Sequence, residues 1–573
     1  MTRVNRPNVD RDLKLVAAVA TAVSLLSFLY YFQRGEILLY GDAVAHINIA
    51  RRVFDSQTPG LLQLGTVWLP LPHLLMIPFL VSDWMWRSGV GGSIPSMVAY
   101  VLCVMGIFRL ARDMFADHEG TRRRGRLAAW VAALVYGGNP NIIYLQTTTM
   151  TEPLYLAFFI WTVVYVADFS RAVRSSTPGL TDKNAAARPL SRCALCLAGA
   201  ELTRYDGWFL AAVIGAVVFF LLLRKWNDQA FRRLALKFLV AIALAPLLWL
   251  AYNAAVYGNP LEFANGPYSA KAIEQRTARP GYPAHPGAGN VVMATSFFLK
   301  AAQLNMARGN WGRLWLAIAL AGLFLVFRLR ASRVVLLLWT PVVFYALSIA
   351  YSGIPLFLPT WWPFTWYNLR YGLQFLPLFA VSAALIVLAP IATAAPEGAI
   401  EERRLMPSLK RWPDTNQVLR GVPAVVLAIV GLSYVFVWRA GPLCFKEAWV
   451  NSRTKLTLES SVAKAVSTLP VNSTYLMYIG DHVGVFQQAG LPLRQVINEG
   501  NHRPWKKPAD TEGLWEQALA DPAGNVDFVI AYEGDAVDQA VQKANLTLIT
   551  EIHTTGQPRA RIYAARAGRN PSH

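Results

Sequence analysis

Leu13-Lys14-Leu15-Val16-Ala17-Ala18-Val19-Ala20-Thr21-Ala22-Val23-Ser24-Leu25-Leu26-Ser27-Phe28-Leu29-Tyr30-Tyr31-Phe32 is followed shortly by Tyr40-Gly41-Asp42-Ala43-Val44-Ala45-His46. The first stretch has the length of an apolar helix crossing a hydrocarbon core, about 20 residues. The second sets a carboxylate just beyond it, at the mouth of the first long loop. Arg3, Arg6, Arg11 and Lys14 precede or open the apolar run, which is too long for the core of a cleaved signal peptide. It reads as a retained first helix with a cytoplasmic N-terminus.

Composition extends this reading to most of the chain. Apolar residues make up 54% and charged residues 15%, in long blocks that do not alternate, so the spanning structure is helical and not a barrel. The net charge of +20 does not imply nucleic acid. Its cations sit in short gaps between apolar blocks, at Arg122–Arg126, Arg224-Lys225, Arg232-Arg233, Arg328–Arg333, Arg403-Arg404 and Lys410-Arg411, which is the positive-inside pattern. Cys193 and Cys196 form a CxxC in an Ala/Leu-rich segment and read as small apolar residues.

Block length and charge gaps predict a polytopic α-helical membrane protein with about eleven spans. Within the loop 34–92, Asp42–Asp55 reads as a short helix, and Val67–Val81, with Pro70, Pro72 and Pro78, as a surface-lying one. A single span is expected over 127–145. Cys193–Leu223 is expected to fold as two short helices joined at Thr203–Gly207, and Tyr257–Trp311 as an irregular loop. Residues 1–439 would form the membrane domain. Residues 440–573 read as an extramembrane α/β domain, with strands at Thr474–Ile479, Arg494–Ile497 and Phe528–Ala531. Span parity puts this domain outside, periplasmic or extracellular.

Ionisable residues at the membrane surface are costly and mark function. Asp42, His46, Glu152, Arg204, Asp206 and Arg370 should converge on the outer face, with Tyr371 as support. Asp42 and His46, four apart, share a helix face. Asp42 suits a general base or, with Glu152, a divalent-cation ligand. Helix capping is its competing role. His46 suits the acceptor or a metal, or is a polar neighbour. Arg370 and Arg204 offer planar forks to phosphate. Against this, Arg204 with Asp206 could be a buried pair closing a turn. Arg51, Arg52 and Asp55 read as a solvated face. Trp361, Trp362, Trp366 and Tyr367 read as an interfacial belt, with sugar stacking as the alternative.

Five short stretches in order carry a resemblance: Gly41–His46 through Arg51-Arg52, Leu69–His73, Thr151–Leu154, Leu202–Gly207, and Leu369–Gly372 running to Pro377. Over roughly residues 10–440 the chain resembles the family C glycosyltransferase fold. Within it the likeness is to glycosyltransferase family 39 and its relatives, the protein O-mannosyltransferases and lipid A aminoarabinose transferases. The resemblance implies a polyprenyl-phosphate-linked sugar donor. It implies that Asp42 deprotonates the acceptor, that Glu152 binds metal or acceptor, and that Arg370 contacts the donor phosphate. Ala43 follows Asp42 where the protein mannosyltransferases carry Asp-Glu, and no inserted β-trefoil domain is present.

The function expected is an inverting transferase in the membrane, bacterial inner membrane by this reading. It would act on a protein, lipid or glycan acceptor, with a divalent metal as an open option and no nucleic-acid partner. The alternative is a flippase or transporter for lipid or lipid-linked sugar. The lack of an internal repeat counts against that alternative.

Overall fold

The computed structural model describes residues 7–114, 122–175, 183–277, 284–328, 332–392, 415–501 and 513–565. Helix α1, Pro7–Gln33, leads into a loop that carries three short helices: α2, Gly41–Arg52; α3, Leu71–Leu80; and α4, Asp83–Ser88. Then come α5, Val90–Asp113; α6, Arg122–Gly137; α7, Pro140–Leu145; α8, Glu152–Ser175; α9, Lys183–Glu201; α10, Tyr205–Arg224; and α11, Gln229–Tyr257. After α12, Glu262–Asn265, and α13, Ala270–Thr277, the bundle continues with α14, Val291–Met306; α15, Gly309–Arg328; α16, Thr340–Tyr351; α17, Leu376–Ala392; and α18, Thr415–Ala440. Helix α19, Leu443–Val466, leaves the bundle.

Among the described residues nine helices are long and apolar enough to cross a membrane. The chain is an integral, multi-pass membrane protein. The difference from eleven lies at two places. The single span expected over 127–145 is broken: Asn139 accepts from the amides of Asn141 and Ile142, and Pro140 starts a new helix there. Cys193–Leu223 does divide into two helices, but they are not short: α9 begins at Lys183, and its arginines and polar residues leave it less apolar than the other spans. The turn after it, at Leu202–Arg204, falls where the sequence placed it.

The loop expected to be irregular over 257–311 is corrected by the structure. It holds α12, α13 and the 16-residue α14, whose Ala294, Phe297, Phe298, Ala301 and Ala302 are buried in the main core. Small residues at this spacing let other backbone approach closely, and they carry little of the hydropathy that marks a span. The cation cluster Arg403–Arg411 lies outside the described residues.

The C-terminal part holds a mixed five-stranded sheet. Its strands are β1, Tyr475–Met477; β2, Val496–Ile497; β3, Phe528–Tyr532; β4, Thr547–Ile552; and β5, Ala560–Ala564. The order is β2-β1-β3-β5-β4, with β1 parallel to β2 and β3, and β5 antiparallel to β3 and β4. Side chains alternate between two cores. Leu476, Val529 and Ala531 face Trp515, Ala518 and Val537. Tyr475, Met477, Phe528 and Ile530 face Leu458 and Val462 of α19 together with Ile47, Met76 and Trp86 of the first loop. One face of the sheet is therefore seated on α2, α3 and α4. Helix α19 belongs to both halves: Cys444 and Ala448 pack in the bundle core, and Leu458 and Val462 pack under the sheet.

Candidate active site

Asp42 lies in the first turn of α2. The residue in the capping position is Tyr40, with no side-chain cap bond, so capping does not describe the role of Asp42. Its Oδ2 accepts from Nη2 of Arg370 at 2.6 Å, and its side chain is 41% exposed. Glu152 opens α8 and is wholly buried. Its Oε1 accepts from Arg370 Nε at 3.1 Å and from Arg204 Nη1 at 3.2 Å. The second oxygen, Oε2, has no partner among the described residues.

Arg370 stands in a short 3-10 helix, Leu369–Phe375, that precedes α17. Two contacts seat this turn. Asn305 of α14 donates to the Leu369 carbonyl at 2.8 Å, and Gly372 lies so close to α14 that a Cβ would meet the Ala301 carbonyl carbon at 2.5 Å. The guanidinium lies over the rings of Tyr40 and Tyr371, 5.2 Å from each centroid. Besides Asp42 and Glu152 it bonds to Glu447 Oε1 at 2.9 Å, while the Arg370 amide donates to Glu447 Oε2 at 3.3 Å.

Arg204 precedes α10. Its Nε donates to Asp206 Oδ1 at 3.2 Å, and its Nη2 to the Tyr345 hydroxyl at 3.1 Å. Tyr345 in turn donates to Asp206 Oδ2 at 2.7 Å, and Arg204 covers the Tyr371 ring at 5.1 Å. Burial opposes the charge on Arg204, but Asp206, Tyr345 and Glu152 outweigh it and raise its pKa well above the usual arginine value. The Arg204–Asp206 pair does close a turn. The backbone there is tight enough that a Cβ on Gly207 would lie 2.4 Å from the Ala200 carbonyl carbon.

Thus Asp42, Glu152, Arg204, Asp206 and Arg370 join one hydrogen-bonded network, with Tyr371 beneath both guanidiniums. His46 lies one turn along α2 and bonds to His73 rather than to Asp42, its Nδ1 2.9 Å from His73 Nε2. Sequence reasoning missed Glu447, Tyr345 and His73. Glu447 had a signal: it is an acid in the apolar first turns of α19, Leu443-Cys444-Phe445-Lys446-Glu447-Ala448-Trp449. Tyr345, an ordinary aromatic in an apolar helix, had none.

One other reading is corrected. Arg51 and Asp55 are not a solvated face. Both are buried, paired at 2.8 Å, with Arg51 also bound to Asp83 at 2.6 Å and stacked on Trp86 at 4.8 Å. Asp42 and Glu152 are the acids offered to a divalent cation. Among the described residues no group of three or more His, Cys, Asp or Glu comes together in a metal-holding arrangement. Arg370 bridges Asp42 and Glu152.

In fold the chain is similar to ArnT from Cupriavidus metallidurans. The structure of that protein bound to undecaprenyl phosphate matches with a TM-score of 0.51 and 14% identity, over 98% of this chain and 99% of that one. Its apo state matches with a TM-score of 0.50 and 14% identity, over 97% and 98%. No family model matches the sequence, and no curated protein matches it. At this identity the likeness is one of fold. The family C glycosyltransferase fold expected from the sequence is the fold of this chain.

Proposed function

We propose that this chain is an inverting glycosyltransferase that moves a sugar from a polyprenyl-phosphate donor to an acceptor hydroxyl at the outer membrane face. One observation carries the reading. Two guanidiniums, Arg370 buried and Arg204 half-buried, are held by four carboxylates, and among those acids Asp42 is the one with substantial exposure. A buried ion network of this size costs more in desolvation than a packed apolar core of equal volume. Its retention at the end of a membrane bundle fits a site for an anionic headgroup. The fold likeness to a protein solved with undecaprenyl phosphate supports the same donor class.

The chemistry follows from the contacts. In the free protein Asp42 Oδ2 is occupied by Arg370. A donor phosphate taking that N–H, in a planar fork suited to phosphate, releases Asp42. The freed carboxylate takes the acceptor hydroxyl proton, the acceptor oxygen bonds to the anomeric carbon, and the bond to phosphate breaks on the opposite side. Arg370 and Arg204 face the charge that develops on the leaving phosphate. Glu152 and Glu447 hold Arg370 in place. Attack opposite the leaving group inverts the anomeric configuration. In this reading the bundle of residues 1–439 does the transfer, with Glu447 at the start of α19 seated in its site, the sheet of residues 440–573 forms an outer α/β domain, and the acceptor is a protein, lipid or glycan.

The test is the purified protein in lipid nanodiscs with radiolabelled polyprenyl-phosphate sugars. Sugar transfer that Asp42→Asn abolishes, in a protein that remains folded, supports the reading. Movement of the lipid across liposome membranes without transfer would establish the flippase alternative instead.

A further inference from the structure

His46 and His73 are two buried imidazoles joined edge to edge. His46 is 2% exposed and His73 is fully buried, their rings 5.1 Å apart and tilted by 41°. The Trp68 ring packs on His46 at 4.7 Å. Groups from every side bear on the pair. Asp42 lies one turn back on α2, Arg370 and Arg204 stand near His46, and Arg52 stands near His73. Burial first, then the two arginines, pushes the His46 pKa down to about 3. Burial and its neighbours take His73 well below its usual value. Both rings are therefore neutral, and the Nδ1···Nε2 bond holds one proton.

The remaining nitrogens decide which ring supplies it. His73 Nδ1 is enclosed and has no partner among the described residues. If His46 donated, His73 would carry an orphaned buried N–H at that nitrogen. If His73 donates, the orphan is a bare lone pair, the commoner and less costly defect. The second arrangement leaves His46 with its proton on Nε2, which makes no hydrogen bond among the described residues.

We propose that His73 holds His46 in the Nε2–H tautomer, so that His46 presents a neutral hydrogen-bond donor to a phosphate oxygen of the lipid-linked donor, beside Arg370 and Arg204. This rests on the transferase reading for the identity of the ligand, though not for the tautomer. A neutral imidazole donor suits the place: it stabilises negative charge without adding a third cation to a crowded site. No proton changes hands. His46 touches substrate and is a catalytic residue in that sense, whereas His73 acts through it as a positioning residue.

The experiment is 15N NMR of histidine-labelled full-length protein in nanodiscs, with His46→Gln and His73→Gln for assignment. In the free protein both rings should show Nδ1 unprotonated and Nε2 protonated from pH 8 to 5. Addition of undecaprenyl phosphate should then shift the His46 Nε2 signal. His73→Leu should raise the donor KM or lower kcat about tenfold or more, and His73→Gln, which keeps an amide donor, should restore most of the loss. A His46 ring protonated at Nδ1, or one that titrates near pH 6.5, overturns the proposal whatever the enzyme assay shows. A correct tautomer whose signal ignores undecaprenyl phosphate while transfer persists overturns the phosphate contact. A protein with the correct tautomer but no transfer points to failure of the functional reading itself.

Discussion

Arg370 shows how a single side chain can organise a membrane site. All three of its nitrogens are committed, to Asp42, Glu152 and Glu447. If Asp42 is the base proposed above, Asp42→Asn removes it and keeps the shape, so turnover should fall by about 10²–10⁴-fold, the usual worth of a general base. Single-turnover assays with the melting temperature measured in parallel check this. Glu447→Ala leaves Nη1 and the backbone amide of Arg370 without their acceptor and should cost about 1–3 kcal/mol. A large drop in thermal stability in detergent, with Glu447→Gln intermediate, is the expected result. Asp42 stood out in the sequence because it sits at the start of an apolar helical stretch just past the first span. Glu447 did not, because α19 reads as a soluble helix until its first turns are seen inside the bundle.

At the scale of elements, the site is assembled by backbone contact. The 3-10 turn carrying Arg370 reaches its position because Gly372 and Ala301 are small enough for the turn to lie against α14. Gly372→Ala forces a methyl into backbone and should destabilise by about 1–3 kcal/mol, as overpacking does. Because the turn must lift, donor binding should weaken more than the loss of stability alone accounts for. Binding of undecaprenyl phosphate to protein that is still folded separates the two effects. The turn, Leu369-Arg370-Tyr371-Gly372, was legible as a motif. Its partner helix was not: α14 is 16 residues long, rich in Ala, and embedded in a stretch whose Gly, Pro and Asn read as loop.

On the scale of the whole molecule, the sheet domain is held to the first loop by polar contacts as well as by a shared core. Asp55 accepts from the amides of Leu493 and Arg494, each at 3.3 Å, and from Arg51. Asp55→Ala should raise amide hydrogen exchange across residues 485–501 well before the bundle opens, and equal protection in variant and parent would remove this anchor. Acid should loosen the same half. His482, stacked on Tyr532 at 3.8 Å, is held by burial and then by Lys455 at a pKa of about 3, far below its ordinary 6.5. The unfolded chain then binds a proton that the folded one refuses, so stability present above pH 6.5 is lost progressively as pH falls towards 3. Melting curves of His482→Phe should show a shallower loss between pH 7 and 4.5.

The amino-acid sequence by itself determined what a linear pattern can encode: the membrane class, most of the spans, the surface helix, the α/β ending and the identity of the principal acids and arginines. Hydropathy and charge act over one turn or one span, so they can be read along the chain. The tertiary structure alone decided which acid faces which arginine, that His46 turns to His73, and that α19 carries Glu447 back into the bundle. Those outcomes depend on contacts between residues far apart in the chain, 328 positions for Asp42 and Arg370 and 404 for Tyr40 and Cys444. Desolvation sets their energies, and only the packed whole creates it.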